Sequence, residues 1–307
     1  MTKLEWCRAN APDSFMGLSD DELLQAMEPM MQSGFVDVPD FDAEEAVVGD
    51  AYSVLMNKMD KIVLMLVQEY GSNIAFKGGY MLCKLLGRPA RQTTDIDFSI
   101  SNSELYQSLM HSFEQVGNML VADGYITRYV VKETIERFKS GGMDMYDESG
   151  RKVLGIDVGW HDIYFGTTTT NIDIAAVNAF TVERMLSDKV IAILSRKRFR
   201  RPKDIYDLFC ITNVFDFDAT LVNDFILKRT DGVGAEWRNF PFNETVLREY
   251  EKAYNSLDIT TVTKTHREKP EFREVISRFD TVCWKLRQPD LEMYWDHNKT
   301  IFIAKVD

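Results

Sequence analysis

Residues 73–99, NIAFKGGYMLCKLLGRPARQTTDIDFS, limit what the rest of the chain can become. Ile74, Ala75 and Phe76 read as a short apolar strand, Lys77-Gly78-Gly79 as a turn, residues 80–86 as a helix, and TDIDFS as a second strand. Successive strand residues point to opposite faces, so Asp95 and Asp97 share one side while Ile96 and Phe98 take the other. Two carboxylates held in this way repel unless a cation lies between them. Magnesium suits them, because it prefers hard oxygen ligands and completes its shell with water and phosphate oxygens. A Gly-Gly turn opening a helix offers bare backbone N–H groups and the positive end of a helix dipole, which suits phosphate. The stretch predicts a site for a magnesium-bound triphosphate.

The surrounding chain narrows the setting. Its 307 residues suffice for two domains, and 45% apolar with 12% aromatic residues describes a globular protein, not a disordered one. No segment approaches the roughly 18–20 continuous apolar residues of a membrane span, and MTKLEWCRANAPD lacks an apolar signal core, so a cytoplasmic protein is expected. The four cysteines, Cys7, Cys83, Cys210 and Cys283, form no CxxC pair and are expected as buried small apolar residues. A net charge of −12 argues against a broad nucleic-acid surface. It leaves room for a local one at RKRFRRPK, residues 196–203, which reads either as a solvated helix end or as a polyanion-facing segment.

Before the central stretch, Ser19 caps one helix opened by Asp20, Asp21 and Glu22. Residues 42–70 then form a long amphipathic pattern stopped by Gly71. After it, residues 103–122 read as a helix and 125–131 as a strand. Two further strand arms are joined by residues 146–150, the second arm being residues 152–158. That second arm carries Asp157, a single carboxylate on an otherwise apolar strand end, which reads as a turn former or a functional acid. A threonine run and a short strand at 172–175 lead into a mainly helical half, with helices at 181–195, from Pro202, and at 217–229, 243–257 and 270–287, and an extended end at 301–303. Lys189 falls on the apolar side of its helix, where a lysine either has a partner or snorkels to solvent. Asp204 and Asp207, three apart, lie on one flank of the next helix, where pairing with basic neighbours is the plain alternative to chemistry.

The Asp-x-Asp pattern also occurs at Asp40/Asp42 and Asp216/Asp218, but only Asp95/Asp97 follows a strand, a Gly-Gly turn and a helix. Four blocks occur in order: Lys77, Gly78, Gly79, Leu82; Arg91, Thr94, Asp95, Asp97, Phe98; Asp188, Lys189, Ala192, Arg196; and Lys203, Asp204, Asp207, Leu208. Together they resemble the AbiEii/AbiGii toxin family of nucleotidyltransferase-like proteins of type IV toxin–antitoxin systems. The chain departs from common patterns at Lys203-Asp204, where Arg-Asp is usual, at Asp188-Lys189, where Glu-Lys is usual, and at Gly78-Gly79, where many nucleotidyltransferases have Gly-Ser. The first two swaps keep the sign of charge, and the third removes a hydroxyl from phosphate contact.

The resemblance implies an α+β, polymerase-beta-like nucleotidyltransferase domain with a mixed sheet at 42–178, after an extension at 1–41 and before a mainly helical domain at 179–307. Asp95 and Asp97 are then implied as metal ligands, with Asp157 as third carboxylate, ligand or base. Lys77, Gly78, Gly79, Thr94 and Asp204 are implied at the nucleotide and its phosphates, Lys189 as a phosphate contact, and Asp207 as a distal acid. The expected activity moves a nucleoside monophosphate from an NTP to an acceptor hydroxyl with two magnesium ions, manganese being an alternative. RNA or tRNA ends are the expected acceptor, and a cognate antitoxin and a place in phage defence are further expectations. Transfer to a protein or small molecule, and a catalytically silent nucleotide-binding regulator, are the competing functions.

Overall fold

The computed structural model describes residues 41–87, 90–102, 104–135, 140–160, 165–194, 202–229, 240–257, 269–288 and 292–305, with scattered positions between 7 and 27 and at 237 and 259. The segment 195–201, which holds most of RKRFRRPK, lies outside the described residues. Two compact units result: Met1–Val54 with Thr263–Glu268, and Leu55–Val262 with Lys269–Asp307. In the first, the Ser19 backbone N–H (2.9 Å) and hydroxyl (2.6 Å) both donate to the Glu22 carboxylate, the Glu half of a capping box, and the Leu23 N–H bonds the Ser19 carbonyl (2.9 Å) as the first helical bond.

The second unit holds everything that follows. Helix α1 (Phe41–Tyr70) enters it with Leu55, Met59, Ile62 and Leu66 buried, at the period the sequence predicts. Next come β1 (Ile74–Lys77), α2 (Gly78–Leu86), β2 (Asp95–Ile100) and α3 (Leu105–Ala122). Three strands in hairpin succession follow, β3 (Arg128–Ile135), β4 (Ser140–Tyr146) and β5 (Lys152–Trp160), then β6 (Thr167–Asn171) and β7 (Ala176–Phe180). These strands form one mixed sheet in the order β3-β4-β5-β2-β1-β7-β6. β2 runs parallel to β5 and antiparallel to β1, which is parallel to β7.

One face of the sheet is apolar. Ile96, Phe98, Ile156, Met143 and Met145 are fully buried, and α3 covers this side with Phe113, Val116 and Leu120, the Phe98 and Phe113 rings meeting edge to face at 6.3 Å. The alternating residues, Asp95 and Asp97 among them, face the other way.

Beyond Phe180 the chain is mainly helical: α4 (Val182–Leu194), α5 (Pro202–Val214), α6 (Ala219–Arg229), α7 (Glu244–Asn255) and α8 (Phe272–Leu286). A small antiparallel sheet of β8 (Phe217–Asp218), β9 (Met293–Asp296) and β10 (Ile301–Ala304) closes it. Trp295 anchors that sheet, fully buried, with its indole N–H donating to the Thr212 carbonyl at 2.7 Å and its ring stacked on Phe217. The expected mixed α+β domain followed by helices is what the chain forms.

Three element predictions are corrected. The threonine run is itself strand β6, and the strand placed at 172–175 begins instead at Ala176. Residues 172–175 make the hairpin turn, with the Ile172 N–H bonded to the Ala175 carbonyl at 3.0 Å. The helix placed from residue 217 starts at Ala219, because Asp218 ends β8 and its carboxylate accepts the Thr220 N–H at 2.9 Å as a cap. The strand placed at 125–131 starts at Arg128, since the Tyr125 N–H is used on the Leu120 carbonyl to close α3. All four cysteines are buried, as expected. Among the described residues no helix is long and apolar enough to cross a membrane.

Candidate nucleotide cleft

Sheet register assembles the site. Lys77 on β1 pairs with Asp97 on β2, Asp97 with Asp157 on β5, Asp157 with Gly142 on β4, and Gly142 with Lys132 on β3. Paired residues on adjacent strands share a face and lie about 5 Å apart, so Lys77, Asp97, Asp157 and Lys132 form one row. A second row, offset by two residues, carries Asp95, Gly155 and Asp144. Asp157, a lone acid in the sequence, is therefore the direct lateral neighbour of Asp97.

Glycines at fixed places in these rows admit the polar side chains. A Cβ on Gly155 would stand 2.4 Å from Asp95 Oδ1 and 2.5 Å from Lys152 Nζ, so its absence lets those two groups meet at 2.9 Å. Lys152 also bonds Asp144 (2.9 Å), and Lys132, reaching across Gly142, bonds Asp144 (3.0 Å) and Asp157 Oδ1 (3.1 Å). The outcome is an alternating ladder, Asp95–Lys152–Asp144–Lys132–Asp157. Burial alone would lower both lysine pKa values, but the flanking carboxylates outweigh it and hold both above the ordinary lysine range.

Asp97 stands apart from the ladder and faces a cleft of about 440 Å³. Lys77, Gly78, Gly79 and Leu82 line it from β1 and α2, and Arg91 from the loop before β2. Met185, Asp188, Lys189 and Ala192 come from α4, Lys203 and Asp204 from α5, and Arg229 from the end of α6. Gly78 at the start of α2 has φ +68°, and a Cβ there would lie 2.2 Å from Asp97 Oδ2. Only glycine permits both the turn and the close carboxylate. The N-cap of α2 is Lys77, with no side chain bonded to the helix start, so the first N–H groups open toward the cleft. Burial raises the Asp97 pKa above the usual carboxylate range; Lys77 opposes this, and Asp157 and Asp95 add to it.

A buried ion network forms the opposite wall. Lys189 donates to Asp204 (2.9 Å) and Asp207 (2.6 Å), and the Arg91 guanidinium grips Asp207 with Nε at 2.8 Å and Nη2 at 3.0 Å. Burial would raise the Asp207 carboxyl, yet Lys189 and Arg91 together hold it below its ordinary value. Burial would likewise lower Lys189, and Asp207 with Asp204 hold it above.

Residues 64–281, about seven-tenths of the chain, match the family described as nucleotidyl transferase AbiEii toxin of type IV toxin–antitoxin systems. The chain belongs to the AbiEii family. No curated protein matches it in sequence. Solved structures resembling it include a putative nucleotidyltransferase from H. pylori, 13% identical, covering 82% of this chain and 96% of that one at a TM-score of 0.46. The antibiotic-resistance factor ANT(2'')-Ia is 16% identical, covering 61% and 97% at 0.42. The lincosamide adenylyltransferase LnuA is 13% identical, covering 52% and 97% at 0.38. Family membership rests on the sequence match alone.

Against that membership the residues singled out in the sequence distribute unevenly. Lys77, Gly78, Gly79, Asp97, Lys189 and Asp204 line the cleft, and Asp207 lies behind Lys189 in the network. Asp95 and Asp157 flank Asp97 on the sheet, outside the cleft lining. Thr94 is exposed and away from it; the neighbouring Thr93 is buried, and its hydroxyl is where a Cβ on Gly79 would fall, at 2.6 Å. The sequence reading did not single out Arg229, Lys132, Lys152 or Asp144. The one local signal for Arg229 was a basic residue in the last turn of a helix, which α2, α7 and α8 show as well. The signal for the ladder was the pair Gly142 and Gly155, legible only once β4, β5 and β2 are in register.

Proposed function

We propose that this AbiEii protein transfers a nucleoside monophosphate from an NTP to an acceptor hydroxyl in the cleft beside Asp97. The row Lys77–Asp97–Asp157 at the mouth of a helix N-terminus carries the reading: it sets carboxylate, cation and backbone N–H groups where a triphosphate would lie. The donor set suits a divalent cation. Among the described residues no three His, Cys, Asp or Glu side chains close a shell by themselves. Magnesium does not need one, since it is held by one or two carboxylates together with water and phosphate oxygens. Asp95 and Asp157 each commit only Oδ1 to a lysine among the described residues. Asp95, Asp97 and Asp157 would hold magnesium or manganese, one ion or two, and the metal's chemistry there is to neutralise phosphate charge and acidify a hydroxyl.

The chain's own groups do the rest. The α2 N–H groups and Lys77 fix the phosphates. The acceptor oxygen bonds to the α-phosphorus, the bond to the bridging oxygen breaks, and pyrophosphate leaves with the electron pair. Asp157, half-exposed beside Asp97, accepts the hydroxyl proton. Lys189, which lines the cleft, has two of its three donors on carboxylates. An RNA acceptor such as a tRNA end, and a cognate antitoxin as partner, accord with the toxin family. The net charge of −12 favours the second reading, transfer to a protein or small molecule.

Incubation with each labelled NTP, magnesium and either total RNA or protein extract decides between them. Label is expected on one acceptor class, with Asp97→Asn lowering the rate about 10²–10³-fold. Equal labelling by wild type and variant would remove Asp97 from the chemistry.

A further inference from the structure

We propose that Arg229, held by Asp188, and Lys77 together form an anion subsite that takes the terminal phosphates of the nucleotide. This rests on the nucleotidyl-transfer reading and adds to it a residue from α6, beyond the last motif block.

The two ends of the cleft differ in how their cations are used. At one end Lys189 and Arg91 face Asp204 and Asp207, two cations against two carboxylates in short hydrogen bonds. That end is balanced internally, and opening it to hold an anion would strand buried carboxylates. At the other end Lys77 makes no ion pair among the described residues; its Nζ lies 5.3 Å from the centre of the Phe180 ring. Arg229 reaches the same cleft from the last turn of α6, with Nη1 on Asp188 Oδ1 at 2.8 Å. The one contact leaves guanidinium donors to spare, and a single carboxylate from α4 stands against two cations. Asp97 faces them from β2, where the proposed cation would engage it.

Local electrostatics agree with the geometry. Burial lowers the Lys77 pKa, Asp188 and Asp97 oppose that, and Arg229 and Arg184 add to it, so Lys77 and Arg229 sense each other's charge. An anion between them removes that repulsion. Arginine suits the outer position because its planar fork can bond two phosphate oxygens while Asp188 keeps it oriented. The N–H groups of Gly78 and Gly79 at the start of α2 lie beside Lys77 and complete the cradle.

Calorimetric titration of the full chain with inorganic tripolyphosphate, and with each of the four NTPs plus magnesium, tests this. Wild type is expected to bind tripolyphosphate, and Arg229→Gln and Lys77→Met each to weaken that binding about tenfold or more, the effect of losing a charged hydrogen bond. Arg229→Lys should recover part of the affinity. The Arg229 side chain is 37% exposed, so Arg229→Gln should unfold thermally as the wild type does, a check made on the same sample. Tripolyphosphate and NTP binding unchanged in both variants overturns the subsite while leaving nucleotidyl transfer standing. Absence of binding of any NTP by wild type overturns the transfer reading and the subsite with it.

Discussion

At the scale of single residues, the glycines separate two kinds of constraint. Gly78 and Gly87 both have positive φ, +68° and +63°. An alanine Cβ at Gly87 meets no described atom within 4 Å, whereas at Gly78 it collides with Asp97. Both substitutions put a Cβ on a sparsely populated positive-φ backbone, Gly87 with ψ −125°, at a cost of about 1–3 kcal/mol. Only Gly78→Ala must also move the Asp97 carboxylate. Urea denaturation should therefore show similar losses for Gly87→Ala and the backbone part of Gly78→Ala, while nucleotidyl transfer collapses in Gly78→Ala alone; full activity in that variant would mean Asp97 has room to move. Asp95 and Asp97 were legible because strand alternation is local. Asp157 was singled out only through the family resemblance, since its place beside Asp97 depends on β5 lying parallel to β2 across more than fifty residues of chain, a pairing with no local signature.

At the scale of elements, the network of Arg91, Asp207, Lys189 and Asp204 ties the loop before β2 to α4 and α5. The 3.6-residue apolar period placed both helices, and it placed Lys189 on the inward side. It could not supply the whole network: Lys189 meets Asp204 and Asp207 from the next helix, and the Arg91 that shares Asp207 lies 116 residues from it. Removing one member of such a buried set leaves a charge uncompensated, so Asp207→Asn should cost about 3–5 kcal/mol in chemical denaturation. The pH dependence follows from direction. Asp207 sits below its ordinary pKa in the fold, so its contribution is present above the unfolded value of about 3.9 and is lost as pH falls from there through the folded value. Wild type should lose stability below about pH 4 more steeply than Asp207→Asn; parallel curves would show that Asp207 is not held as an anion. Strand β6 was misplaced and β9 went unread for a different reason: TTTT has no apolar alternation, and MYWD is too short for any period to emerge.

At the scale of the whole molecule, charge and site pull against each other. The chain carries 36 Lys and Arg against 48 Asp and Glu, yet its cleft collects Lys77, Arg91, Lys189, Lys203 and Arg229. A magnesium–triphosphate carrying about two negative charges is repelled at long range and attracted only near the cleft. Treating the −12 as one centre about 20 Å away, the repulsion in water is about 5 kcal/mol before screening. The Debye length falls from about 30 Å at 0.01 M salt to about 10 Å at 0.1 M, so about half of that repulsion survives at the lower salt and about a seventh at the higher, while contacts of 3–5 Å inside the cleft are little affected. Stopped-flow association of a fluorescent NTP with the magnesium-loaded protein should therefore quicken several-fold between 10 and 100 mM salt. A protein that recruits nucleotides or nucleic acid through a basic face does the reverse, since salt then screens attraction. A rate that falls with salt would show that the cleft's cations, not the acidic exterior, govern the approach, and the same measurement with an RNA acceptor would then report whether a basic surface serves it as well.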